Sequence, residues 1–385
     1  MTNLERLTKT MNGTSVDRVM TYDLLDNQEI LKKYGGWRDD KPIDFDTLVE
    51  TNAKALAGIG VDVTRGVYDP VNHWMRGKID NWIRFLGVDP ADWIVEQGGG
   101  TAWIAKRPFV SFDDVKNHMP SMPEPQAVED WYGPYIESVS KIFSSHDVVM
   151  IGGIEGPICD AYTYTEMDQF MMGMYDDPDL IDRLLDITCE YSRIIVDVFS
   201  RRGAAPVQFM GEDSAFKSGP IFSPDFLRDK ALPRWRKLMA PIHEKGGWFL
   251  FHTDGRYGSL LPLILDELGA DGLNPIERNG CNDIFDIYKQ YPDVVFFGNV
   301  CCETTLPFGN TFDVEDEVLE LLELIPGTGG RILIGSSSEI HDEVPIENSE
   351  TMYRTVHEYG AFPIDIDRIR KRRFEISRKL EVRRV

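Results

Sequence analysis

Eight short β-rich runs alternate with helical stretches along the chain, and this alternation constrains the fold more than any other feature. Strands that alternate with helices predict βα units around a parallel sheet. Eight strands fit a closed barrel better than a doubly wound open sheet, which usually has fewer. The predicted strands are residues 17–23, 60–66, 147–156, 206–213, 247–255, 270–275, 293–301 and 330–338. We therefore predict a (β/α)8 barrel with an N-terminal extension, formed by residues 1–385 as a single domain.

A long segment separates the second and third predicted strands. Within it, residues 93–110 alternate in polarity on either side of three consecutive glycines at 98–100, a pattern typical of a β-hairpin. We predict that this hairpin is an insertion in a βα loop above the barrel mouth, where loops that cover substrates are common.

The formal net charge of −23 excludes several classes of partner. Nucleic-acid binding requires basic patches that neutralise phosphates. The basic cluster at 368–385 has apolar residues at helical spacing, and we interpret it as a closing amphipathic helix with a solvated face. No apolar run approaches the ~18 residues that span a bilayer, and the N-terminus lacks a signal-peptide pattern. We expect a cytoplasmic protein with no nucleic-acid or membrane role.

Cysteine usage points to reduced thiols. The chain has five cysteines, at positions 159, 189, 281, 301 and 302. An odd number in a large chain without a signal peptide does not indicate a disulfide framework. The thiols are therefore available as metal ligands or nucleophiles.

Polar residues cluster where the predicted strands end, and in a barrel those ends form one ring. His252 directly follows an apolar run, and so do Glu212 and the pair Cys301–Cys302. An imidazole, a carboxylate and a thiolate with one open position are the pattern of catalytic zinc. The spacing alone favours a buried structural histidine and cysteines that fill the core, because no CxxC or HExxH motif occurs. Asp254 could orient His252 or take part in acid–base chemistry.

The loop after the second predicted strand carries candidate pocket residues. Tyr68, His73 and Trp74 could line a substrate pocket there, and ordinary packing of the loop explains them equally well. His341 follows the eighth strand and is a secondary candidate at the same mouth.

Four blocks of sequence resemble the uroporphyrinogen decarboxylase superfamily. The first is FHTDGRYGSLLPLILDELGADGLNPIE at 251–277, where a strand ends in a histidine turn and a helix leads to the next strand. The others lie at 211–238, 298–318 and 335–360, the last resembling the "P-E-N" helix of the family. The resemblance implies a single (β/α)8 barrel, in agreement with the strand count.

Within that superfamily the sequence departs from two branches. The decarboxylases resemble one another in an arginine-bearing stretch at the first strand, where TYDLLDNQE here has no arginine to pair with porphyrinogen carboxylates. The coenzyme M methyltransferases have a His-x-Cys pair and a later cysteine as zinc ligands. This sequence has Asp254 at the second ligand position and serines at 336–338. A Glu, His and Cys set looks more like the methyltransferases that demethylate methoxylated aromatics.

The resemblance therefore implies a zinc-dependent methyltransferase that moves a methyl group from a small donor to the cob(I)alamin of a corrinoid protein. It implies Glu212, His252 and Asp254 as catalytic residues, and Glu212, His252 and one of Cys301 and Cys302 as metal ligands. The candidates for shaping the substrate pocket are Tyr22, Asp23, Asn27, Tyr68, His73 and Trp74.

Three alternatives stay open. One is a metal-free decarboxylase or lyase that uses Asp23, Glu212 or Asp254 as acid–base groups, and another is a methylcobamide:coenzyme M methyltransferase. The third is a binding protein without catalytic activity. The sequence leaves the oligomeric state undecided, with a homodimer among the options.

Overall fold

The computed structural model describes residues 1–40, 43–72, 74–98, 101–277, 282–328 and 330–383. Each of the eight predicted strands is present, shorter than predicted. They are β1 Met20–Thr21, β2 Val63–Thr64, β3 Val149–Met150 continuing as Gly152–Glu155, β4 Val207–Gly211, β5 Trp248–His252, β6 Gly272–Asn274, β7 Val295–Val300 and β8 Ile332–Ser336.

The eight strands form a closed ring. Seven of them pair in the order β1-β8-β7-β6-β5-β4-β3. β2 pairs with the first part of β3, and a bridge between Tyr22 and Val63 joins β1 to β2. Every pairing around the ring is parallel. The predicted (β/α)8 barrel is therefore confirmed, and the carboxyl ends of all eight strands lie at one mouth.

Helices surround the barrel and follow its strands. They are α1 Asn3–Met11, α2 Gln28–Ile30, α3 Phe45–Ile59, α4 Trp74–Leu86, α5 Phe112–Val115, α6 Pro125–Ser145, α7 Pro157–Thr165, α8 Met167–Asp176, α9 Pro178–Arg202, α10 Pro224–Phe226, α11 Leu232–Glu244, α12 Ile284–Gln290, α13 Thr305–Phe308, α14 Thr311–Thr328, α15 Ile346–Tyr359 and α16 Ile366–Arg383. Short 3-10 or π-helical turns occur at Leu31–Gly35, Lys116–His118, Leu227–Ala231, Gly258–Leu260 and Pro262–Leu268.

The barrel interior is a small apolar core of its own. Strand residues such as Val207, Phe209 and Phe297 form one buried cluster, separate from the larger core between the sheet and the helices. Leu7 and Met11 of α1 belong to the interior cluster. The predicted N-terminal extension therefore closes the amino-terminal end of the barrel and contributes apolar side chains to its interior.

The predicted hairpin is present as the antiparallel strands Ile94–Gly98 and Thr101–Lys106, with Gly99 and Gly100 outside the described residues. Trp93, at its base, packs against Trp82 of α4 and Tyr164 of α7, with ring centroids 5.8 and 5.7 Å away. The hairpin is thus held beside the mouth by aromatic contacts.

The basic cluster near the C-terminus is explained by its acidic neighbour. In α16, Arg372 pairs with Glu315 at 2.6 Å, and Arg373 pairs with Asp316 at 2.9 Å and Glu323 at 2.7 Å on α14. These charges join two helices, which agrees with an amphipathic closing helix. In the described chain, every helix is too short or too polar to cross a membrane.

Candidate active site

A cavity of about 770 Å³ opens at the carboxyl ends of the strands. Its wall includes Asp213 after β4, His252 at the end of β5 and Asp254 two residues later. Residues of α4, including Lys78 and Trp82, also line the cavity. A volume of this size suits a small-molecule ligand.

Asp213, His252 and Asp254 face one another in this cavity. Nε2 of His252 lies 3.7 Å from Oδ1 of Asp213 and 3.7 Å from Oδ2 of Asp254. One ligand-capable atom from each residue lies within 4.8 Å of the other two. Among the described residues, this is the group of three or more His, Cys, Asp and Glu side chains whose geometry could hold a metal ion.

The chemistry of this group fits a divalent cation. The Oδ1 atoms of Asp213 and Asp254 are shielded from solvent and have no hydrogen-bond partner in the described part of the chain. Shielded carboxylate oxygens without donors are costly unless a cation or water satisfies them. Two carboxylates and one imidazole are ligands that Zn²⁺ accepts while keeping a position open.

Asn274 fixes the orientation of His252. Oδ1 of Asn274 lies 2.8 Å from Nδ1 of His252 and accepts a 2.8 Å hydrogen bond from Nη1 of Arg65. Nδ2 of Asn274 donates to the carbonyl of Phe297 at 2.9 Å. The amide therefore cannot be turned around, and Nδ1 of His252 must be the donor. Nε2 is then the nitrogen of His252 that faces the two carboxylates and is available to a metal ion.

Arg65 places a positive charge near the Asp213–His252–Asp254 group. Its Nη1 also donates to the hydroxyl of Tyr22 at 3.0 Å, and its guanidinium lies 4.5 Å from the ring centre of Phe209. Burial raises the pKa of Asp254, but His252 and Arg65 outweigh burial and the net shift is downward. Burial and the neighbouring Asp254 raise the pKa of Asp213 to about 6.

Glu212, predicted as a metal ligand, lies elsewhere in the structure. Its carboxylate accepts hydrogen bonds from the backbone N–H of Cys159 at 2.7 Å and from Nε1 of Trp235 at 2.9 Å. Successive strand residues point to opposite faces, so Glu212 faces α7 and α11 while Asp213 faces the cavity. Burial raises the pKa of Glu212 to about 8 against the opposing effect of these donors. Asp213, and not Glu212, therefore belongs with His252 and Asp254 to the candidate metal group.

The structure does not bring Cys301 or Cys302 to His252 either. Neither thiol belongs to the candidate metal group. Sγ of Cys302 accepts a hydrogen bond from Ser337 at 3.1 Å, and Sγ of Cys301 accepts one from Thr304 at 3.0 Å. Burial raises the pKa of Cys302 to about 12, which keeps the thiol protonated. The structure therefore places both predicted thiol ligands outside the site.

Two of the predicted pocket residues border the cavity, namely Tyr68 and Trp74. Tyr22 lies deeper, where its hydroxyl receives the hydrogen bond from Arg65. His73 lies outside the described residues.

Asp23 and Asn27, also predicted as pocket residues, serve the fold instead. Asp23 accepts hydrogen bonds from Ser336 of β8 and, at 2.6 Å, from Tyr353 of α15. Asn27 accepts from the backbone of Ile30 at 3.0 Å and thereby caps α2. His341, the secondary candidate, has its Nε2 3.0 Å from the carbonyl of Cys302.

Comparison with known proteins gives a family match over most of the chain. A family model described as "Uroporphyrinogen decarboxylase (URO-D)" matches residues 92–359. The "Methylcobamide:CoM methyltransferase MtaA" of Methanosarcina barkeri is 26% identical over 216 residues, and that of its strain Fusaro is 24% identical. Each match covers 56% of this chain and 60% of the relative, so the chain spans less than two thirds of those proteins.

One solved structure resembles the whole fold. A methyltransferase from Methanosarcina mazei superposes with a TM-score of 0.70 at 20% sequence identity. The superposition covers 93% of this chain and 99% of the other. At that identity, the likeness supports the barrel architecture.

Proposed function

Because the chain belongs to the uroporphyrinogen decarboxylase family, we propose that it is a methyltransferase that moves a methyl group from a small donor to the cob(I)alamin of a corrinoid protein. The observation that carries the proposal is the Asp213–His252–Asp254 group, whose unpaired carboxylate oxygens face a cavity large enough for a small molecule. The curated relatives, named as methylcobamide methyltransferases, support this reaction class.

Zinc is the metal that we propose for this site, held by Asp213, His252 and Asp254. When bound, it would supply a Lewis acid that stabilises negative charge on the oxygen losing its methyl group. A methoxylated aromatic is the donor that we propose. The nucleophile is cob(I)alamin, which forms the new cobalt–carbon bond while the electron pair of the broken carbon–oxygen bond stays on the donor oxygen.

The chain's own residues would position the reactants. His252 presents Nε2 to the cavity because Asn274 holds its other nitrogen. Arg65, stacked on Phe209 and bonded to Asn274, fixes that amide from the opposite side. Aromatic side chains of the wall, among them Trp82, would exclude water from the donor.

A porphyrinogen decarboxylase is a poorer fit to the site. The first strand and the segment after it, TYDLLDNQE, have no arginine for substrate carboxylates. A cytoplasmic location is also proposed. It agrees with the strongly reducing character of cob(I)alamin and with Cys159, Cys189, Cys301 and Cys302, which form no disulfide among the described residues.

Metal binding gives the first test, with a matched pair of variants at adjacent positions. We expect the full chain to take up one zinc ion, measured by titration against a chromogenic chelator. Asp213→Asn should weaken zinc binding by more than the 10–100-fold that is typical of residues which only orient a ligand. Glu212→Gln should leave zinc affinity unchanged, because that carboxylate faces α7.

Methyl transfer gives the second test. The zinc-loaded protein, a reduced corrinoid protein and a methoxylated arene should together convert cob(I)alamin to methylcobalamin, followed by its visible absorbance. A folded protein that takes up no zinc, or equal losses of zinc affinity in both variants, would contradict the proposed site. Absence of transfer across a panel of methyl donors would contradict the reaction.

A further inference from the structure

A second charged cluster borders the same cavity, on α4 and α7. Nζ of Lys78 lies 3.1 Å from Oδ1 of Asp160 and 3.7 Å from Oε2 of Glu155. The same Nζ lies 5.4 Å from the ring centroid of Trp82 and 5.8 Å from that of Trp74. The Lys78 side chain is 10% exposed, and the Asp160 side chain is 3% exposed.

Lys78 carries a positive charge, and the carboxylates of Asp160 and Glu155 in the cavity wall already balance it. Burial lowers the pKa of Lys78, but Glu155 and Asp160 raise it by more, so it lies above the ordinary lysine value. Burial also raises the pKa of Asp160, although the ammonium opposes that shift. The ion pair with Asp160 at 3.1 Å is the closer of the two, and breaking a buried ion pair leaves an uncompensated charge.

Arg65, the other strong cation of the wall, is also engaged. Nη1 donates to Tyr22 and Asn274, and Nη2 lies 3.9 Å from Oε2 of Glu339. Carboxylates outnumber these two cations in the described lining of the cavity. They are Asp26, Asp69, Glu155, Asp160, Asp213, Asp254 and Glu339. A divalent metal at the proposed site would offset two of these charges and leave the wall acidic.

We infer that this cavity selects methyl donors without a carboxylate and rejects carboxylated ones. Asp160 is the specificity-determining residue, because its ion pair with Lys78 keeps that ammonium from pairing with a donor. The inference rests on the proposed methyltransferase function and narrows its class of donor to uncharged methoxyarenes.

The physical reason is the cost of an unpaired charge. A carboxylated arene that enters the cavity gives up its water but finds Lys78 already in ion pairs with Asp160 and Glu155, and Arg65 bonded to Asn274. With its methoxy oxygen at the proposed zinc, the carboxylate would lie away from the metal and stay unpaired among acidic neighbours, a strong form of rejection. A neutral methoxyarene avoids that cost and still gains contact with aromatic side chains such as Trp82.

The test compares two donors of equal size, a methoxyphenol and a methoxybenzoate with the same substitution pattern, near neutral pH. Binding to the full-length zinc-loaded protein is measured by calorimetry and by quenching of the tryptophans that line the cavity. We expect the wild type to bind the methoxyphenol at least about tenfold more tightly, the factor for about 1.4 kcal/mol. Equal or tighter binding of the methoxybenzoate would overturn the inference, and this comparison depends on no variant folding.

Asp160→Asn tests the role of the salt bridge directly. The variant keeps the shape of the side chain and removes the nearer carboxylate of Lys78, leaving Glu155 at 3.7 Å from the ammonium, so methoxybenzoate affinity should rise about tenfold while methoxyphenol affinity stays within about twofold. Asp26→Asn is the matched control. It removes one carboxylate of the wall that forms no salt bridge with a lysine or arginine among the described residues, so it measures the effect of wall charge alone and should raise methoxybenzoate affinity far less than Asp160→Asn does.

Lys78→Met added to Asp160→Asn completes the design. The gain in methoxybenzoate affinity should disappear, because its cationic partner is gone. A gain that persists in the double variant, or that appears equally in Asp26→Asn, would overturn the assignment to Asp160 and Lys78. If neither donor binds any variant, the proposed function fails together with the inference. Binding of both with the wrong preference refutes the inference alone.

Discussion

Replacing Asn274 by alanine should weaken both the fold and the metal site, in amounts that can be worked out from its hydrogen bonds. The side chain accepts from Nδ1 of His252 and Nη1 of Arg65 and donates to the carbonyl of Phe297, at 2.8 to 2.9 Å. Arg65 retains Tyr22 as a partner, whereas Nδ1–H of His252 is left buried and unpaired. The lost bonds to Arg65 and Phe297, at about 1 kcal/mol each, and about 1–3 kcal/mol for the unpaired N–H of His252 give a loss of roughly 3–5 kcal/mol.

Urea unfolding of the metal-free protein measures the first effect. Zinc affinity measures the second, which should fall by about 10–100-fold because His252 is no longer held in one tautomer and one orientation. Asn274→Asp is the conservative control. It keeps an accepting oxygen for both His252 and Arg65 and loses the donor to Phe297, so zinc affinity should stay closer to that of the wild type. An alanine variant with unchanged urea midpoint and unchanged zinc affinity would refute the role assigned to this amide.

Two further predictions concern the buried carboxylate of Glu212. Its pKa of about 8 in the folded protein lies above the ordinary value of 4.5, so its contribution to stability is present below about pH 4.5 and lost as the pH rises to about 8. At about 1.4 kcal/mol per pKa unit, the free energy of unfolding of Glu212→Gln should rise relative to that of the wild type by up to about 5 kcal/mol across that pH range. Urea unfolding at several pH values measures this difference, and a difference that falls with pH would contradict the prediction. Gly156→Ala should lower the melting temperature, since a Cβ there would overlap the carboxylate of Glu212, which Cys159 and Trp235 hold in place. The shift should cost about 1–3 kcal/mol, and an unchanged melting temperature would show that the carboxylate moves freely.

The fold could be predicted because the strands of the barrel are recognisable in the sequence as apolar runs at regular intervals. His252 and Asp254 were found for the same reason, since they end such a run. The choice between Glu212 and Asp213 could not be made. Both faces of a barrel strand are buried, so the sequence shows no alternation of polarity that would say which residue points inward.

The cysteines illustrate a second limit. Gly298 and Asn299 both adopt positive φ, at 94° and 86°, so the regular alternation of β7 is broken before Cys301 is reached. The direction in which the side chains of Cys301 and Cys302 point therefore cannot be deduced from their positions along the strand. Lys78 was missed because its partner Asp160 lies on a different helix, far away in sequence. The single domain over residues 1–385 and the homodimer stay predictions.

The helix that closes the amino-terminal end of the barrel has a consequence for the order of events. With Leu7 and Met11 filling that end, the cavity at the carboxyl ends is the route by which molecules reach His252 in the described structure. Under the proposed function, the methyl donor and the cobalt of the corrinoid protein must enter through the same opening. Binding is then ordered: the donor binds before the corrinoid protein docks, and the demethylated product is released after that protein dissociates.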